Sequence, residues 1–459
     1  MNKMKKLFLL LALLMPFLSI GQEVLKYNGK VITYGEHWYG IEYDITATSP
    51  DVTRIASSVD DMKLHASLPI QNGMRACLLL DNGTVNYWLN ENDWSKKIDG
   101  TASDLSGTDG QVMIYVPLHY RKFETSGNTY RCKISQYPIS GFHAVPAFYI
   151  GAYEASLYRP TLKLSSVVNA TTDYRGGDNN AAWDAAANTL LGKPATLLTR
   201  TNFRTYARNR AAGTKWNINT YEQHKAITWL FVVEYATRNS QKAIDATFTT
   251  EGYRKGGLGD GVTTAIDAEW NTFNTRYPFI SCGASNTLAT KSGEVSVAVT
   301  DFGGAGVPRS FTVNRYRGIE MPFGHVFKNL DGVNVDVKTV ADGDYSRMWV
   351  TNDPALFNDV NYNGYSDRGL IARANGYIKT NLDGTYGEIT PNVGGTVGGS
   401  ATTFWCDNFE HSATISSLRT ILIGGLALHT TSAGLIFIRS TFSPTNAAGY
   451  ICSRLSYIP

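Results

Sequence analysis

Short apolar runs alternate with small polar residues along the C-terminal part of the chain. The runs cover residues 421–423, 435–438 and 451–458, and Gly, Ser, Thr and Asn separate them. Runs of this length between turn-forming residues are typical of buried β-strands. We therefore expect residues 404–459 to form short strands joined by surface loops.

The N-terminal part of the chain has a similar pattern. The segments 31–34, 76–80, 112–116 and 129–133 are predicted to be strands. Between the second of these and Val85, the sequence Asp-Asn-Gly at 81–83 is a hairpin turn signal. No group of residues in this part has a catalytic pattern. We expect residues 22–142 to form a small antiparallel β domain.

Two segments in the middle of the chain have a helical pattern instead. Residues 201–213 carry Phe203 and Ala207 at helical spacing and end at a glycine. Thr220 and Gln223 form a capping-box pattern ahead of a second apolar segment. Both segments are predicted to be helices.

The first residues have the composition of a targeting segment. Three lysines precede an apolar run at 7–18, and Ser-Ile-Gly follows it at 19–21. This order predicts a signal peptide over residues 1–21, and the run is too short to span a bilayer. We expect an exported protein, whether periplasmic, on the cell surface or secreted, or else a component of a phage virion, without a transmembrane segment in the mature chain.

Charge and composition exclude one class of partner. The formal net charge is +3, and it falls close to zero without the three lysines of the targeting segment. Proteins that bind nucleic acid carry an excess of positive charge that attracts the phosphates, and this chain has no such excess. The chain also contains 43 Gly and 26 Tyr, and long helical patterns are few, so the composition favours strands and loops.

The five cysteines leave two interpretations open. They have no Cys-x-x-Cys spacing and no paired histidines, which excludes a structural zinc site of the usual kind. In an exported protein Cys406 and Cys452, which flank the C-terminal segment, are the first pair to test for a disulfide. The alternative is that all five are buried thiols.

One segment has part of a calcium-binding pattern. Asp359, Asn361, Asn363 and Gly364 match the first half of a calcium loop, but Leu370 occupies the position of the bidentate glutamate. Asp and Asn in an exposed turn need no metal. The glycine-rich stretch at 256–261 follows no predicted strand, and the chain has no Gly-x-Ser-x-Gly motif. We expect no metal, no cofactor and no catalytic residues.

The residue types of the C-terminal segment are unusual. From His411 to Pro459 there is no Lys, Glu, Gln, Met, Trp, Asp or Val. Burial explains the loss of charge, but a buried strand normally contains Val. Randomising both adenines of an AAC codon cannot produce Lys, Gln, Glu, Met or Trp, and all of these types are absent. The segment therefore has the composition expected from mutagenesis at adenines.

An ordered set of residues in this segment resembles the variable region of diversity-generating retroelement target proteins. The matching positions are Arg419, Gly424, Gly425, Ala427, Ala433, Gly434, Leu435, Ile451, Ser453, Arg454 and Leu455. In that family a C-type-lectin-like domain of the formylglycine-generating-enzyme type displays diversified positions on a fixed scaffold. Cys452 departs from the pattern, since the family more often has Gly there.

The resemblance implies a fold class and a domain arrangement. Pro146 and the residues after it resemble the opening strand of the formylglycine-generating-enzyme fold, and two helices on a small sheet are what that fold requires. We therefore expect an α+β fold, with a C-type-lectin-like domain over residues 143–459 and a variable region over about 404–459. The copper-binding cysteine pair of the oxidase branch of that fold has no equivalent in the motifs of this chain.

The resemblance also implies a set of ligand-binding residues between the fixed positions. All belong to the types that adenine mutagenesis can reach, and they mix apolar, aromatic and cationic side chains. They are Leu426, Leu428, His429, Ile436, Arg439, Thr441, Phe442, Thr445, Asn446, Ala448 and Tyr450. If they form one exposed patch, its apolar members should be unusually exposed, and Phe442, Arg439, His429 and Tyr450 are the expected anchors. An ordinary sheet edge is the structural alternative.

These expectations favour a binding protein that recognises a protein or glycan on a cell or phage surface, as a monomer or a homo-oligomer. The alternatives are an enzyme of the formylglycine-generating, sulfatase-modifying superfamily and an adhesion protein without diversification. The gene's surroundings would separate them, because a diversified protein requires a nearby reverse transcriptase gene and a template repeat that differs from the 3′ end only at adenines.

Overall fold

A computed structural model describes residues 36–184, 189–261, 280–302 and 307–459, together with the backbone of residues 26–27 and 30–31. The signal peptide expected over residues 1–21 lies outside the described residues, as does most of the strand expected over 31–34. The chain divides into two compact units, Met1–Glu36 and His37–Pro459. The described residues of the first unit form only a short strand pair at 26–27 and 30–31.

The strands are short, and most of them are joined by turns. In chain order they are β1 Lys26–Tyr27, β2 Lys30–Val31, β3 Tyr39–Asp44, β4 Thr53–Ala56, β5 Arg75–Leu79, β6 Val85–Asn90, β7 Asp93–Lys97, β8 Gln111–Val116, β9 His119–Ser126, β10 Thr129–Ser135, β11 His143–Val145, β12 Phe148–Gly151, β13 Ser156–Tyr158, β14 Lys163–Ser165, β15 Trp216–Ile218, β16 Ile244–Phe248 and β17 Arg254–Gly256. The second half of the chain continues with β18 Gly293–Phe302, β19 Val307–Tyr316, β20 Ile319–Glu320, β21 Phe327–Asn329, β22 Val333–Val337, β23 Ser346–Val350, β24 Ser366–Leu370, β25 Gly376–Tyr377, β26 Thr380–Asp383, β27 Glu388–Val393, β28 Asn408–His411, β29 Ser417–Arg419, β30 Leu422–Gly424, β31 Gly434–Ser440, β32 Ile451–Cys452 and β33 Leu455–Tyr457.

The described residues contain three α-helices: α1 Leu64–Ser67, α2 Arg200–Arg208 and α3 Tyr221–Tyr235. The capping box expected for the last of these is confirmed, because the Thr220 side chain accepts from the Gln223 N–H while the Gln223 side chain accepts from the Thr220 N–H. Every residue of α3 except Glu222 is buried, as expected for a helix surrounded by protein. Within the described ranges, no helix has the length and apolar character needed to cross a membrane.

Most strands belong to four larger sheets. A seven-stranded sheet has the order β15-β33-β12-β8-β5-β6-β7, and a five-stranded sheet has the order β11-β9-β10-β3-β4. A six-stranded sheet has the order β25-β28-β31-β30-β21-β32 and contains most strands of the C-terminal segment. A four-stranded sheet has the order β24-β23-β22-β29. The hairpin expected at 81–83 is confirmed: β5 and β6 pair antiparallel, and Gly83 has a positive φ of 83°.

The expected α+β, C-type-lectin-like fold class is wrong, because the protein is mainly β. Strands account for 38% of the residues and helices for 16%, and the described α-helices have only 4, 9 and 15 residues. Both helices predicted from the sequence are present, as α2 and α3. The remaining sequence is rich in glycine and in apolar runs too short for a helix, so it forms strands and turns.

The boundary expected between residues 142 and 143 falls inside the second compact unit. Strand β8 from the N-terminal side pairs with β12, which pairs in turn with β33 near the C-terminus. The seven-stranded sheet therefore takes strands from both sides of that boundary. The C-terminal segment is fixed at one end by this long-range pairing.

Candidate binding surface

The C-terminal segment is built on a buried central strand. Strand β31 pairs antiparallel with β30 on one side and parallel with β28 on the other. Beside it, the buried Asp407 carboxylate accepts a hydrogen bond from the Ile436 N–H at 2.8 Å, and burial raises the pKa of Asp407 well above its usual range. A Cβ at Gly434 would lie 2.0 Å from Asp407 Oδ1, so the strand can approach the carboxylate only with glycine at that position.

Two arginines of the fixed pattern hold backbone rather than a ligand. Arg419 Nη1 donates to the Thr441 carbonyl at 2.9 Å, and the buried Arg454 Nη1 donates to the Gly151 carbonyl at the same distance. Arg419 thus joins two parts of the C-terminal segment, and Arg454 joins the segment to β12 of the seven-stranded sheet. The fixed positions thus provide a rigid support, which is what a binding surface requires.

Most of the expected ligand-binding residues converge around the ring of Phe327 in β21. The His429 and Tyr450 rings lie 5.6 Å and 6.5 Å from it, and the Phe442 ring lies 6.1 Å from that of Tyr450. Leu428, Phe442, Ala448 and Tyr450 are partly buried against one apolar cluster that contains Phe327. We refer to the group as the Phe327 surface. It lies over the buried Phe327 ring, and its half-buried members are Leu428, His429, Arg439, Thr441, Phe442, Ala448, Tyr450 and Glu410.

Arg439 links the aromatic and polar parts of this surface. Its guanidinium carbon lies 5.3 Å from the Phe327 ring centroid and 4.6 Å from that of Phe442, distances at which a cation is attracted to the ring face. Its Nε donates to Thr441 Oγ1 at 2.7 Å. The side chain retains 22% of its exposure, so the guanidinium is held in place while part of it still faces solvent.

Glu410 in β28 binds the two basic groups of the surface. One carboxylate oxygen lies 3.1 Å from His429 Nε2, and the other lies 3.1 Å from Arg439 Nε. Burial raises the pKa of Glu410, but the hydrogen bond from His429 and the charge of Arg439 outweigh burial and hold the pKa below its ordinary value. The carboxylate fixes the orientation of the His429 ring and of the Arg439 guanidinium before any ligand arrives.

Two expected surface residues are not on the surface. Leu426 and Ile436 retain 3% and 1% of their exposure and belong to the apolar core, so the expectation that they form an exposed patch is wrong. Ile436 lies in the middle of β31, where Leu435 and Phe437 on either side of it are also buried. A central strand that is covered on both faces exposes neither set of alternate side chains.

Thr445 and Asn446 are exposed, in a turn that follows Phe442. The Ser443 N–H donates to Asn446 Oδ1 at 3.0 Å, and the Asn446 N–H donates to the Ser443 carbonyl at 3.1 Å. The turn is therefore closed by its own hydrogen bonds. Its side chains are accessible, next in sequence to the Phe327 surface.

Sequence reasoning missed Phe327 and Glu410. Phe327 lies far upstream in sequence and joins the surface because its N–H donates to the Tyr450 carbonyl at 2.9 Å, where β21 meets β32. Glu410 lies in β28 between Phe409 and His411, which are both buried, and is itself half-buried. Strand alternation places such a residue on the opposite face.

The other sequence candidates have structural roles. All five cysteines are buried free thiols, so Cys406 and Cys452 are not paired. The Asp359 carboxylate binds Arg200 Nε and Arg204 Nη2, each at 2.7 Å, and two guanidinium groups leave it poorly placed to ligate calcium. Over the described ranges, no group of three or more His, Cys, Asp or Glu side chains has an arrangement that could hold a metal ion.

Comparison with known proteins adds little to this description. No family model and no curated protein matches the chain. Among solved structures, the chain is similar to PvdO from Pseudomonas aeruginosa, with 12% identity, a TM-score of 0.30, and coverage of 78% of this chain and 98% of that one. A TM-score of this size supports no conclusion about fold or function.

Proposed function

We propose that the protein is an exported or virion-surface ligand-binding protein whose C-terminal surface is diversified by a retroelement. The observation that carries the proposal is the convergence of most of the expected residues around Phe327, although they come from different turns and strands of the C-terminal segment. Residues scattered over a core and opposite faces would offer no such patch. The unusual residue alphabet of the same segment supports the diversification part.

The chemistry of the Phe327 surface suits recognition of a folded partner or a glycan. It combines the partly exposed rings of Phe442 and Tyr450 with a guanidinium held between Phe442 and the buried Phe327, an imidazole and a hydroxyl. A few aromatic and arginine side chains supply most of the affinity in typical interfaces. A protein or glycan on a cell or phage surface is therefore the partner that we propose.

The support of the surface also favours binding. Asp407 and Arg419 hydrogen-bond to the backbone of the segment, and Arg454 joins the segment to the Gly151 carbonyl of β12. None of the three belongs to the residues expected to vary. Exchange of the surface side chains would leave those contacts in place. A rigid support lowers the cost of ordering on binding, whichever side chains are displayed.

The enzyme alternative has no supporting observation. Burial raises the pKa of Cys406 to about 12 and that of Cys452 well above its usual range. Both thiols therefore stay protonated and are poor nucleophiles or metal ligands at neutral pH.

Binding can be tested with arrays of glycans and of surface proteins. The full chain is applied as the original sequence, as Arg439→Ala and as Phe442→Ala. Any partner that the original sequence binds through the Phe327 surface should be lost, with a drop in affinity of about tenfold or more for each variant.

Arg75→Ala is the matched control, because the Arg75 guanidinium lies 4.4 Å from the Trp88 ring centroid and outside the Phe327 surface. This variant should bind like the original chain. Partners that are retained by both surface variants, or lost equally by the control, would argue against a binding role for the surface.

A further inference from the structure

A second site lies apart from the Phe327 surface, in a cavity of about 310 Å³. The cavity is lined by strand β9, by the segment that joins β11 to β12, and by the first turn of α3, and it shares no residue with the Phe327 surface. Ligand pockets usually begin at about 300 Å³, so the space fits a small molecule.

The polar side of the cavity has an excess of positive charge. Arg121, Lys225 and Arg368 line it, whereas Glu222 is its only acidic lining residue. Glu388 lies outside the lining but is 3.1 Å from Lys225 Nζ and 3.3 Å from Arg368 Nε. The two carboxylates therefore leave one of the three cations uncompensated. A bound monoanion would balance the group.

Two buried donors in the lining lack acceptors. Arg121 Nη2 donates to Glu222 Oε2 at 2.9 Å, but within the described residues Arg121 Nη1 has no hydrogen-bond partner. Gln223 has the same deficit at Nε2. Arg121 and Gln223 retain only 9% and 5% of their exposure. Buried donors of this kind are normally satisfied, so their presence in one cavity points to an acceptor that comes from a ligand.

The capping box of α3 fixes the orientation of the Gln223 amide. Its Oε1 accepts from the Thr220 N–H at 3.0 Å, so the amide cannot turn its oxygen toward the cavity without breaking the cap. Nε2 therefore remains a donor. Arg121 Nη1 and Gln223 Nε2 are therefore two donors in one lining that a ligand carboxylate could satisfy, and hydrogen bonds from a guanidinium to a carboxylate are among the stronger ones.

Part of the remaining wall is apolar. Val145, Pro146, Phe148 and Phe357 line the cavity, and such surfaces favour a hydrocarbon body over a fully polar ion. We propose that the cavity binds a small carboxylic acid with an aromatic or aliphatic body, with its carboxylate at Arg121 and Gln223.

Phenylacetate is a suitable probe, and phenylacetamide and inorganic phosphate are its comparators. The full chain is titrated with each by isothermal calorimetry. Phenylacetate should bind, and the uncharged amide and the phosphate should bind at least about tenfold more weakly, because hydrogen bonds to charged groups are the stronger ones and phosphate gains nothing from the apolar walls.

Two variants locate the site. Gln223→Glu keeps the capping acceptor but replaces the donor with a negative charge, and Arg121→Met removes the guanidinium while retaining its length. Each should weaken phenylacetate binding about tenfold or more. Arg131→Met is the control, since Arg131 lies in the neighbouring strand β10, pairs with Glu42 and does not line the cavity.

Circular dichroism and melting temperature establish that each variant is folded, and either folded variant is sufficient for the test. Weakened binding in the cavity variants and unchanged binding in Arg131→Met support the proposal. Failure of the original chain to bind phenylacetate, binding that the cavity variants leave unchanged, or preferential binding of phosphate or phenylacetamide would overturn it. None of these results depends on a ligand at the Phe327 surface.

Discussion

Gly425→Val tests the support of the C-terminal segment. Gly425 has a φ of +75°, and a Cβ there would lie 2.9 Å from Ala433 Cβ and 3.2 Å from Ala433 Cα. The left-handed conformation costs a side-chain-bearing residue about 1–2 kcal/mol, and overpacking a core costs about 1–3 kcal/mol more. We expect a loss of about 2–5 kcal/mol in the free energy of unfolding.

Gly100→Val separates the two contributions. Gly100 has a φ of +88°, and a Cβ there would meet no atom within 4 Å, so only the conformational cost of about 1–2 kcal/mol applies. Urea unfolding followed by tryptophan fluorescence and by circular dichroism gives both values, and coincidence of the two signals tests whether the transition is two-state. Equal losses for the two variants would refute the claim that Gly425 is required by close packing against Ala433.

Other consequences can be measured with the same protein. Leu428→Ser and Thr445→Tyr should change the melting temperature little. Leu426 is buried, so Leu426→Ala should lower the free energy of unfolding in urea by about 2–5 kcal/mol. Similar losses for all three variants would contradict the division of the expected set into surface and core residues. Glu410 has a pKa below its ordinary value of 4.5, so the stability that its carboxylate contributes is present above that pH and is lost as the pH falls below it. The melting temperature of Glu410→Gln should therefore fall less on acidification than that of the original chain. An identical pH profile would count against the contacts of Glu410 with His429 and Arg439. Because guanidinium groups occupy Asp359, EDTA should leave the melting temperature and ligand binding unchanged, and a large drop in either would show a metal site that we do not expect.

Local patterns identified local structure well. The Thr220–Gln223 capping box and the 81–83 turn have the expected forms, because each depends on a few neighbouring residues. The strands expected at 76–80 and 112–116 occur as Arg75–Leu79 and Gln111–Val116. Element type is thus readable from the sequence wherever one periodicity dominates.

The pairing of these strands into sheets could not be predicted from local sequence patterns. No local pattern indicates that β33 pairs with β12, which lies about three hundred residues away in sequence, so the division at 142/143 did not anticipate one shared sheet. The predicted α+β fold class overestimated the helix content, because two clear helix signals were given too much weight against many weak strand signals.

The structure divides the residues of the expected surface between core and surface. Alternation along an exposed strand would have brought Ile436 to the surface, but β31 lies between β28 and β30 and is buried on both faces. The contribution of Phe327 depends on a tertiary contact with Tyr450, which only the structure reveals. Arg439, near the end of β31, and Phe442, after it, are half-buried, and their role in binding stays a prediction.

The most direct test of the central claim is sequencing of the gene's 3′ end across a population, together with its template repeat. We predict substitutions confined to adenine positions of the template and concentrated at the codons of Leu428, His429, Arg439, Thr441, Phe442, Thr445, Asn446, Ala448 and Tyr450. Changes at the buried Leu426 and Ile436 should be restricted to apolar residues, and Gly425, Asp407 and Arg454 should not change. Substitutions spread evenly over surface and support, or the absence of any adenine bias, would contradict the account.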